Sequence, residues 1–284
     1  MKWSKLLLIF FVFPLNLQAQ VSSDWDEDIR ILNNFLSSVP KMPADSAMLR
    51  SALFFLNTPY EAGTLEGGED ESLIIDFRSM DCFTLVENCL ALSRCLQYPY
   101  PDMDYFERAL RTIRYRNGRI DGYTSRLHYT SDWIYDNVGK GIFEDITHAL
   151  GGHKTQFNVR FISENQTKYP ALSENPSLVE TMRTIEQRIN ARNYYYIPKS
   201  EISRHRNEIK NGDIVCFTTS IPDLDISHVG IAYHHKNQLT FIHASPTAGK
   251  VIVNPESLED YCQKIKTNTG IMVLRPQQFN PLVE

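Results

Sequence analysis

Residues 81–92 constrain the fold of this chain more than any other segment, because they combine a helix-start signal with the pattern of a buried helix. They read Asp-Cys-Phe-Thr-Leu-Val-Glu-Asn-Cys-Leu-Ala-Leu, with apolar side chains at three- and four-residue spacing after Cys82. That spacing predicts a helix with one buried face. Asp81 is a favoured N-cap residue, so the helix is predicted to begin at Cys82. Glu87 lies close enough to this start to interact favourably with its positive end.

The predicted position of Cys82 in the first helical turn makes it a candidate nucleophile. A thiol there is close to the helix dipole and to free backbone N–H groups, which lower its pKa from about 8.5 into roughly the 3.5–7.5 range. The alternative is a small buried hydrophobic residue, the commonest role of a free cysteine. The histidines further along the chain decide between these two interpretations.

Residues 1–19 have the pattern of a secretory signal peptide rather than of a folded element. Lys2 and Lys5 form a positive start, residues 6–13 are an apolar run, and Ala19 offers a small residue for cleavage. The apolar run is too short to cross a bilayer as a helix. We therefore expect an exported protein without a membrane span after cleavage, in which residues 20–284 form a single catalytic domain.

Charge and cysteine content narrow the partners and the compartment. The net charge of −5, with no basic stripe, argues against nucleic acid as a partner. Five cysteines are an odd number, so at least one thiol stays unpaired within the monomer. Cys89 and Cys95 are predicted to be core residues of the cysteine helix, and a Cys216–Cys262 disulfide is left open. This small number of cysteines favours a periplasmic protein over an extracellular protein that is stabilised by disulfides.

The order of the predicted elements is helices first and strands last. Helical patterns cover residues 24–38, 45–56, 103–115 and 178–189 in addition to the cysteine helix. Short β-rich runs cover residues 213–219, 228–234, 239–243, 250–253 and 270–274, with an isolated alternating run at 157–162 and a strand or extended run at 73–77. Closely spaced consecutive strands predict an antiparallel sheet, so the fold class is α+β.

Two histidines lie at the ends of neighbouring strands of that sheet. His228 opens one strand and His243 closes the next, so a hairpin would bring both side chains to one face. Thiol catalysis requires a base within hydrogen-bonding distance and a third group that orients the base. Cys82, His228 and His243 supply these three roles.

Five motifs occur in the order that is seen in NlpC-type cell-wall cysteine peptidases, and the chain resembles this superfamily over about residues 55–275. The motifs are Pro59-Tyr60 with Gly63, Asp81-Cys82, Gly-Asp-Ile-Val at 212–215, His-Val-Gly-Ile at 228–231, and Phe-Ile-His-Ala-Ser at 241–245. The resemblance implies a papain-like fold and cleavage of amide bonds in peptidoglycan without a metal or other cofactor. It also implies that Cys82 is the nucleophile, His228 the general base and His243 the orienting residue. Tyr60 and Asp81, beside the nucleophile, would bind the oxyanion or substrate.

Two departures from compact members resemble one branch of the superfamily, the N-acetylmuramoyl-L-alanine amidases. The residues after Asp81-Cys82 are larger than the small residues that are usual in the superfamily. Residues 98–210 form a long insertion before His228. That branch implies cleavage between the lactyl group of muramic acid and L-alanine, in intact peptidoglycan or muropeptide fragments. Candidate substrate-binding residues in the insertion and beside the two histidines are Arg126, His128, Tyr129, Asp132, Trp133, Ser227 and Ser245.

Three alternatives remain open from the sequence. One is a γ-D-glutamyl–diamino-acid endopeptidase of the same fold. Another is a zinc site built from Cys82, His228 and His243, although the short helical ligand spacing usual in zinc enzymes is missing. The third is a wall-binding module without catalytic activity.

Overall fold

The computed structural model describes residues 25–66 and 70–279. The signal peptide predicted at residues 1–19 lies outside these residues. No helix within the described ranges is long and apolar enough to span a membrane.

Helices dominate the first two thirds of the described chain. They are α1 Trp25–Ser38, α2 Ala44–Phe54, α3 Cys82–Cys95, α4 Met103–Arg114, α5 Thr130–Gly139, α6 Phe161–Glu164, α7 Pro170–Ser173, α8 Pro176–Asn190 and α9 Leu258–Lys264. Helix starts follow the side chains that can cap them: Asp102 accepts from the Tyr105 amide at 2.8 Å, and Asn175 precedes Pro176 at the start of α8. The five helices predicted from periodicity are present, whereas α5 was not predicted because its sequence is rich in polar and aromatic residues.

An eight-stranded antiparallel sheet forms the second layer. Its strands are β1 Phe143–Asp145, β2 His153–Thr155, β3 Tyr194–Pro198, β4 Ile214–Thr219, β5 Ile226–His235, β6 Gln238–Ser245, β7 Lys250–Val253 and β8 Asn268–Pro276. The order is β2-β3-β8-β4-β5-β6-β7, and β1 also pairs with β8. The described residues therefore have the α+β architecture with an antiparallel sheet that the sequence predicts.

The predicted β5–β6 hairpin is present, and its turn fixes the register. Lys236 and Asn237 both have positive φ, at 49° and 65°, as a two-residue turn of type I′ requires. The ladder runs from His235 opposite Gln238 to Ile231 opposite Ile242. This register places the odd-numbered positions of β6 on the face away from α3, where Phe241 belongs to the smaller hydrophobic core beneath α9.

Helix α3 is the centre of the larger core. All of its residues from Thr84 to Cys95 are buried, including Cys89 and Cys95 as predicted. Glu87 is buried and accepts from Arg114 Nε at 2.7 Å, so its partner is a guanidinium rather than the helix start. A carboxylate in the core needs such a paired charge, because water is excluded around it.

One local prediction needs correction, three strands were not predicted, and one open question is answered. Residues 157–162 do not form a strand: residues 157–160 are a loop, and Phe161 and Ile162 begin α6. Strands β1, β2 and β3 were not predicted; β1 and β2 have three residues each, too few to show an alternating pattern. All five cysteines are free, and Cys216 and Cys262 pack into different cores on opposite faces of the sheet.

Candidate active site

The start of α3 is fixed by a capping box. The Asp81 carboxylate accepts from the Thr84 amide at 2.8 Å and the Phe83 amide at 3.0 Å, and the Thr84 hydroxyl oxygen accepts from the Asp81 amide at 3.0 Å. These reciprocal bonds satisfy the free amides of the first turn and stop the helix from extending further back. Cys82 is therefore held as the first residue of α3.

Cys82 lies near the place where the pairing between β5 and β6 ends. The β5–β6 ladder ends at Ile231 and Ile242, although β5 stays paired with β4 back to Ile226 and β6 stays paired with β7 up to Ser245. Val229 lies in the part of β5 that is not paired with β6, and its backbone amide hydrogen-bonds the Cys82 sulfur. The half-buried thiol thus lies against the residue that follows His228.

His228 and His243 are in direct contact. His228 Nε2 lies 2.7 Å from His243 Nδ1, with the two rings nearly perpendicular at 89°. This bond occupies Nε2 of His228 and leaves its Nδ1 for another partner. The structure therefore pairs His228 with His243 and places Cys82 against Val229, the residue that follows His228.

Burial keeps all three groups neutral at rest. Loss of solvation raises the pKa of Cys82 to about 12, and the charge of Asp81 adds to the shift. Burial lowers the pKa of His228 to about 3, with a contribution from His243, and that of His243 to about 4. These directions are opposite to the lowered thiol pKa expected from the helix start, because burial outweighs the helix dipole and the nearby amides.

Two tyrosines flank the cysteine. Tyr60 is held beside the start of α3, since its amide donates to Gly249 O at 2.9 Å and the Met80 amide donates to Pro59 O at 3.0 Å. Burial and the neighbouring Cys82 raise the pKa of Tyr60 to about 12, and the same two causes raise that of Tyr261 to about 12. Both hydroxyls therefore remain hydrogen-bond donors at neutral pH. Tyr261 was not predicted, because nothing in its local sequence places α9 near the site.

Aromatic rings enclose the histidine pair on the face of the sheet away from α3. Phe241 lies 4.6 Å from the His243 ring, and Tyr261 lies 5.8 Å from it. Phe217 lies 6.0 Å from the His228 ring. This apolar enclosure is the physical cause of the lowered imidazole pKa values.

Three further candidate residues make hydrogen bonds within the protein: Asp81, Ser227 and Ser245. The Asp81 carboxylate caps α3, and its negative charge opposes an oxyanion rather than binding one. The Ser227 hydroxyl donates to Asn268 Oδ1 at 3.0 Å, and the Ser245 hydroxyl accepts from the Ala248 amide at 3.2 Å in the turn after β6.

Three of the candidate residues in the insertion are core residues. Tyr129 donates its hydroxyl to Glu186 at 2.7 Å, and Asp132 is paired with Arg116 and Arg192, each at 2.7 Å. Trp133 is 0% exposed and packs against Phe83 at a centroid distance of 5.2 Å. These side chains are committed within the protein, so they are not available to a ligand. Trp133 instead packs against Phe83, the residue that follows Cys82.

Arg126 and His128 are also committed to internal contacts. Arg126 Nη2 lies 2.8 Å from Glu66, and its Nε lies 3.1 Å from Glu71. His128 Nε2 lies 2.8 Å from Tyr123 O, and burial lowers the pKa of this histidine to about 3. Contact of these residues with the substrate stays a prediction.

The histidine geometry does not suit a shared metal ion. Two nitrogens bound to one tetrahedral zinc, each at about 2.0–2.1 Å, would lie about 3.3 Å apart, and the ring nitrogens here are 2.7 Å apart. Among residues 25–66 and 70–279, no group of three or more His, Cys, Asp or Glu side chains is arranged to hold a metal.

Comparison with known proteins identifies the family of this chain. Residues 50–271 match the family model described as AmiA-like, N-acetylmuramoyl-L-alanine amidase-like. The fold is similar to the crystal structure of an N-acetylmuramoyl-L-alanine amidase from Bacteroides uniformis, with a TM-score of 0.79 and 37% identity over 83% of this chain and 99% of that one. Curated protein sequences gave no match.

Two further solved structures are similar. A Bacteroides fragilis protein, described as a candidate xylanase, has a TM-score of 0.76 and 42% identity over 80% of this chain and 99% of that one. A Legionella pneumophila protein has a TM-score of 0.70 over 91% of this chain and 97% of that one, and at 22% identity it supports the fold alone.

Proposed function

Because the chain belongs to the N-acetylmuramoyl-L-alanine amidase-like family, we propose that it is a cysteine amidase of peptidoglycan with a papain-like catalytic arrangement. The family acts on amide bonds in the cell wall, and the proposal adds a thiol mechanism and a cleavage site. The bond cleaved is the amide between the lactyl group of N-acetylmuramic acid and L-alanine. We also propose that the protein is exported to the periplasm, because peptidoglycan lies outside the cytoplasm.

One observation carries the proposal. The Cys82 sulfur is bound by the amide of Val229, the neighbour of His228, while His228 Nε2 is bound to His243. His228 therefore has one ring nitrogen, Nδ1, free to take the thiol proton. A nucleophile, a base and a group that orients the base are the minimum for acyl transfer.

In the proposed first step, His228 Nδ1 takes the proton of Cys82 as the sulfur attacks the lactyl carbonyl carbon. The resting groups are neutral, so the proton moves during attack rather than before it. The Cys82 backbone N–H and the Tyr60 hydroxyl stabilise the oxyanion. Protonated His228 then donates its proton to the leaving nitrogen of L-alanine, which breaks the C–N bond and leaves a muramoyl thioester on Cys82.

Water completes the reaction. His228, again neutral, takes a proton from the water that attacks the thioester carbonyl, and the thiol of Cys82 leaves with a proton from His228. The products are a muramic acid carboxylate and a peptide with a free L-alanine amino terminus.

The glycan part of the substrate needs an exposed surface, and the side chains of Arg126, Tyr129, Asp132 and Trp133 are buried. A groove of about 420 Å³ lies between residues 155–160 of the insertion and residues 218–224, the loop that leads into β5. Tyr196 and Asn158 line it. We place the muramoyl sugar there, because an aromatic ring with amide and hydroxyl groups suits a sugar. Tyr196→Ala and Asn158→Ala should each raise KM with kcat unchanged, and unaltered kinetics would contradict this placement.

Mass spectrometry of a digest of defined muropeptides tests the function. The wild-type enzyme should release peptides that begin with L-alanine, and Cys82→Ala should release none. Peptides cut after D-glutamate would instead establish the endopeptidase. Binding of peptidoglycan by both proteins without any product would establish a wall-binding module, and inhibition by a chelator would establish a metal mechanism.

A further inference from the structure

Asn254 lies beside His243 on the side away from His228. The β6–β7 ladder pairs Ile242 with Val253 and His243 with Ile252, and the Asn254 amide donates to Phe241 O at 2.8 Å. The same register therefore continues to Asn254, opposite Phe241. Residues opposite each other share a face, so the Asn254 side chain is a diagonal neighbour of His243.

The backbone of Asn254 is firmly held. The Thr240 hydroxyl lies 2.8 Å from both Asn254 O and Glu256 O, and Asn254 is 6% exposed. The Thr240 hydroxyl stabilises the turn after β7, whereas the bond from the Asn254 amide to Phe241 O places Asn254 relative to β6.

The orientation of the Asn254 amide follows from a single hydrogen bond. Its Nδ2 donates to Glu256 O at 2.9 Å. Because Nδ2 points toward Glu256 O, the oxygen of the same planar amide, Oδ1, points to the other side of the Asn254 side chain. That oxygen is an acceptor only.

His243 Nε2 is the group that needs this acceptor. It is buried and lacks a hydrogen bond of standard geometry, which is rare for a buried polar atom. The interaction with the Asn254 side chain raises the pKa of His243, as expected for an acceptor that faces a ring N–H.

We propose that Asn254 is a positioning residue that sets the tautomers of both histidines. Its Oδ1 holds the proton of His243 on Nε2, which makes His243 Nδ1 an acceptor. His243 Nδ1 then holds the proton of His228 on Nε2, which leaves His228 Nδ1 unprotonated and able to take the thiol proton. Asn254 acts through His243 and does not touch the substrate. The catalytic part of this inference rests on the proposed function, whereas the tautomers do not.

Nitrogen-15 NMR of histidine-labelled full-length protein tests the tautomers directly at neutral pH. Both His228 and His243 should carry their protons on Nε2 in the wild type. In Asn254→Ala, His243 should become a mixture of tautomers, and Asn254→Asp should restore the Nε2 proton because it keeps an acceptor oxygen. A wild-type His243 protonated on Nδ1 would overturn the proposal without any variant.

Kinetics on muramoyl-peptide separate positioning from structure. Asn254→Ala should lower kcat by at least about tenfold with KM within twofold, and Asn254→Asp should recover most of kcat. Thr240→Val is the matched control, because it removes the hydroxyl that stabilises the same turn without touching His243: it should lower the melting temperature and leave the tautomers unchanged. A tautomer shift of the same size in Thr240→Val would show that the turn, not Asn254, is responsible. If the wild type has the predicted tautomers but cleaves no muramoyl amide, the positioning role of Asn254 stands and the proposed function is refuted.

Discussion

Gly230 lies opposite His243 where the β5–β6 ladder ends, and it has no side chain that could hold the two strands apart. A β-carbon at Gly230 would come within 2.6 Å of the Phe241 ring, 2.9 Å of Ile242 O and 3.4 Å of His243 Cβ. The absent side chain is therefore what lets His243 reach diagonally across to His228, and it explains the glycine of the His-Val-Gly motif.

Gly230→Ala should disrupt the histidine pair while the protein still folds. The added methyl group must displace Phe241 or β6, which costs about 1–3 kcal/mol of unfolding free energy. We expect kcat/KM on muramoyl-peptide to fall by at least about tenfold, in line with the share of catalysis that a general base supplies. Gly139→Ala is the control, since a β-carbon there meets nothing within 4 Å. Full activity in Gly230→Ala would show that the contact is not needed.

Iodoacetamide should alkylate Cys82 in the native protein before the other cysteines. Cys82 is half-buried, and the other four cysteines are fully buried. Because burial raises its pKa to about 12, the rate should rise about tenfold per pH unit between pH 7 and 9, as the thiolate fraction does. Peptide mass spectrometry after timed quenching measures the rate. A rate that is flat above about pH 6 would indicate a thiolate–imidazolium pair at rest.

The folded state should lose stability as the pH falls from about 6.5 toward 3–4. The pKa values of His228 and His128 are lowered to about 3 and that of His243 to about 4, whereas the unfolded chain titrates near 6.5. In this window the unfolded state binds more protons, so the free energy of unfolding rises with pH. Urea unfolding at several pH values checks the slope.

His128→Gln separates this stability effect from activity. The variant keeps a donor for Tyr123 O but removes one titrating ring, so the pH dependence of unfolding should become shallower. Its kinetics on muramoyl-peptide should match those of the wild type, because His128 contacts none of the three proposed catalytic residues. A loss of kcat would mean that the insertion takes part in the reaction.

Tyr60→Phe should lower kcat by about 10- to 100-fold with little change in KM. Its hydroxyl stays protonated because burial and the nearby Cys82 raise its pKa to about 12, so the variant removes one donor to the oxyanion while the Cys82 amide remains. Steady-state kinetics on muramoyl-peptide are the measurement. Tyr261→Phe gives the matched comparison on the other side of the thiol, and a larger loss there would assign the donor role to Tyr261.

Arg126→Ala should act on stability rather than on substrate binding. It leaves Glu71, which is buried, without its paired charge, and we expect a loss of about 3–5 kcal/mol in the free energy of unfolding. Arg183→Ala, which breaks an exposed pair with Glu180, should change stability by less than about 1 kcal/mol. A stable Arg126→Ala protein with a raised KM would restore Arg126 to the substrate site.

Part of the fold could be predicted from local sequence patterns. The helices α1 to α4 and α8 have long amphipathic repeats or clear caps, and β4 to β8 alternate over enough residues to be recognised. The strands β1 to β3 and helix α5 were missed because β1 and β3 form by pairing with β8, β2 by pairing with β3, and α5 by packing around Trp133, none of which their own sequences reveal. The partners of the polar and aromatic residues in the insertion could not be predicted for a related reason: a charged or aromatic side chain looks the same in sequence whether its partner is a substrate or a buried Glu186.

The sequence by itself determined where α3 begins, that Cys82 is its first residue, and that two histidines lie on adjacent strands, since capping and alternation are local properties. Only the tertiary structure decided the charge state of the site, because burial depends on rings from β4, β6 and α9 that are distant in sequence. It also decided which residues orient the histidines: the contact between Asn254 and His243 exists because strand register brings them together, and register is a property of the assembled sheet.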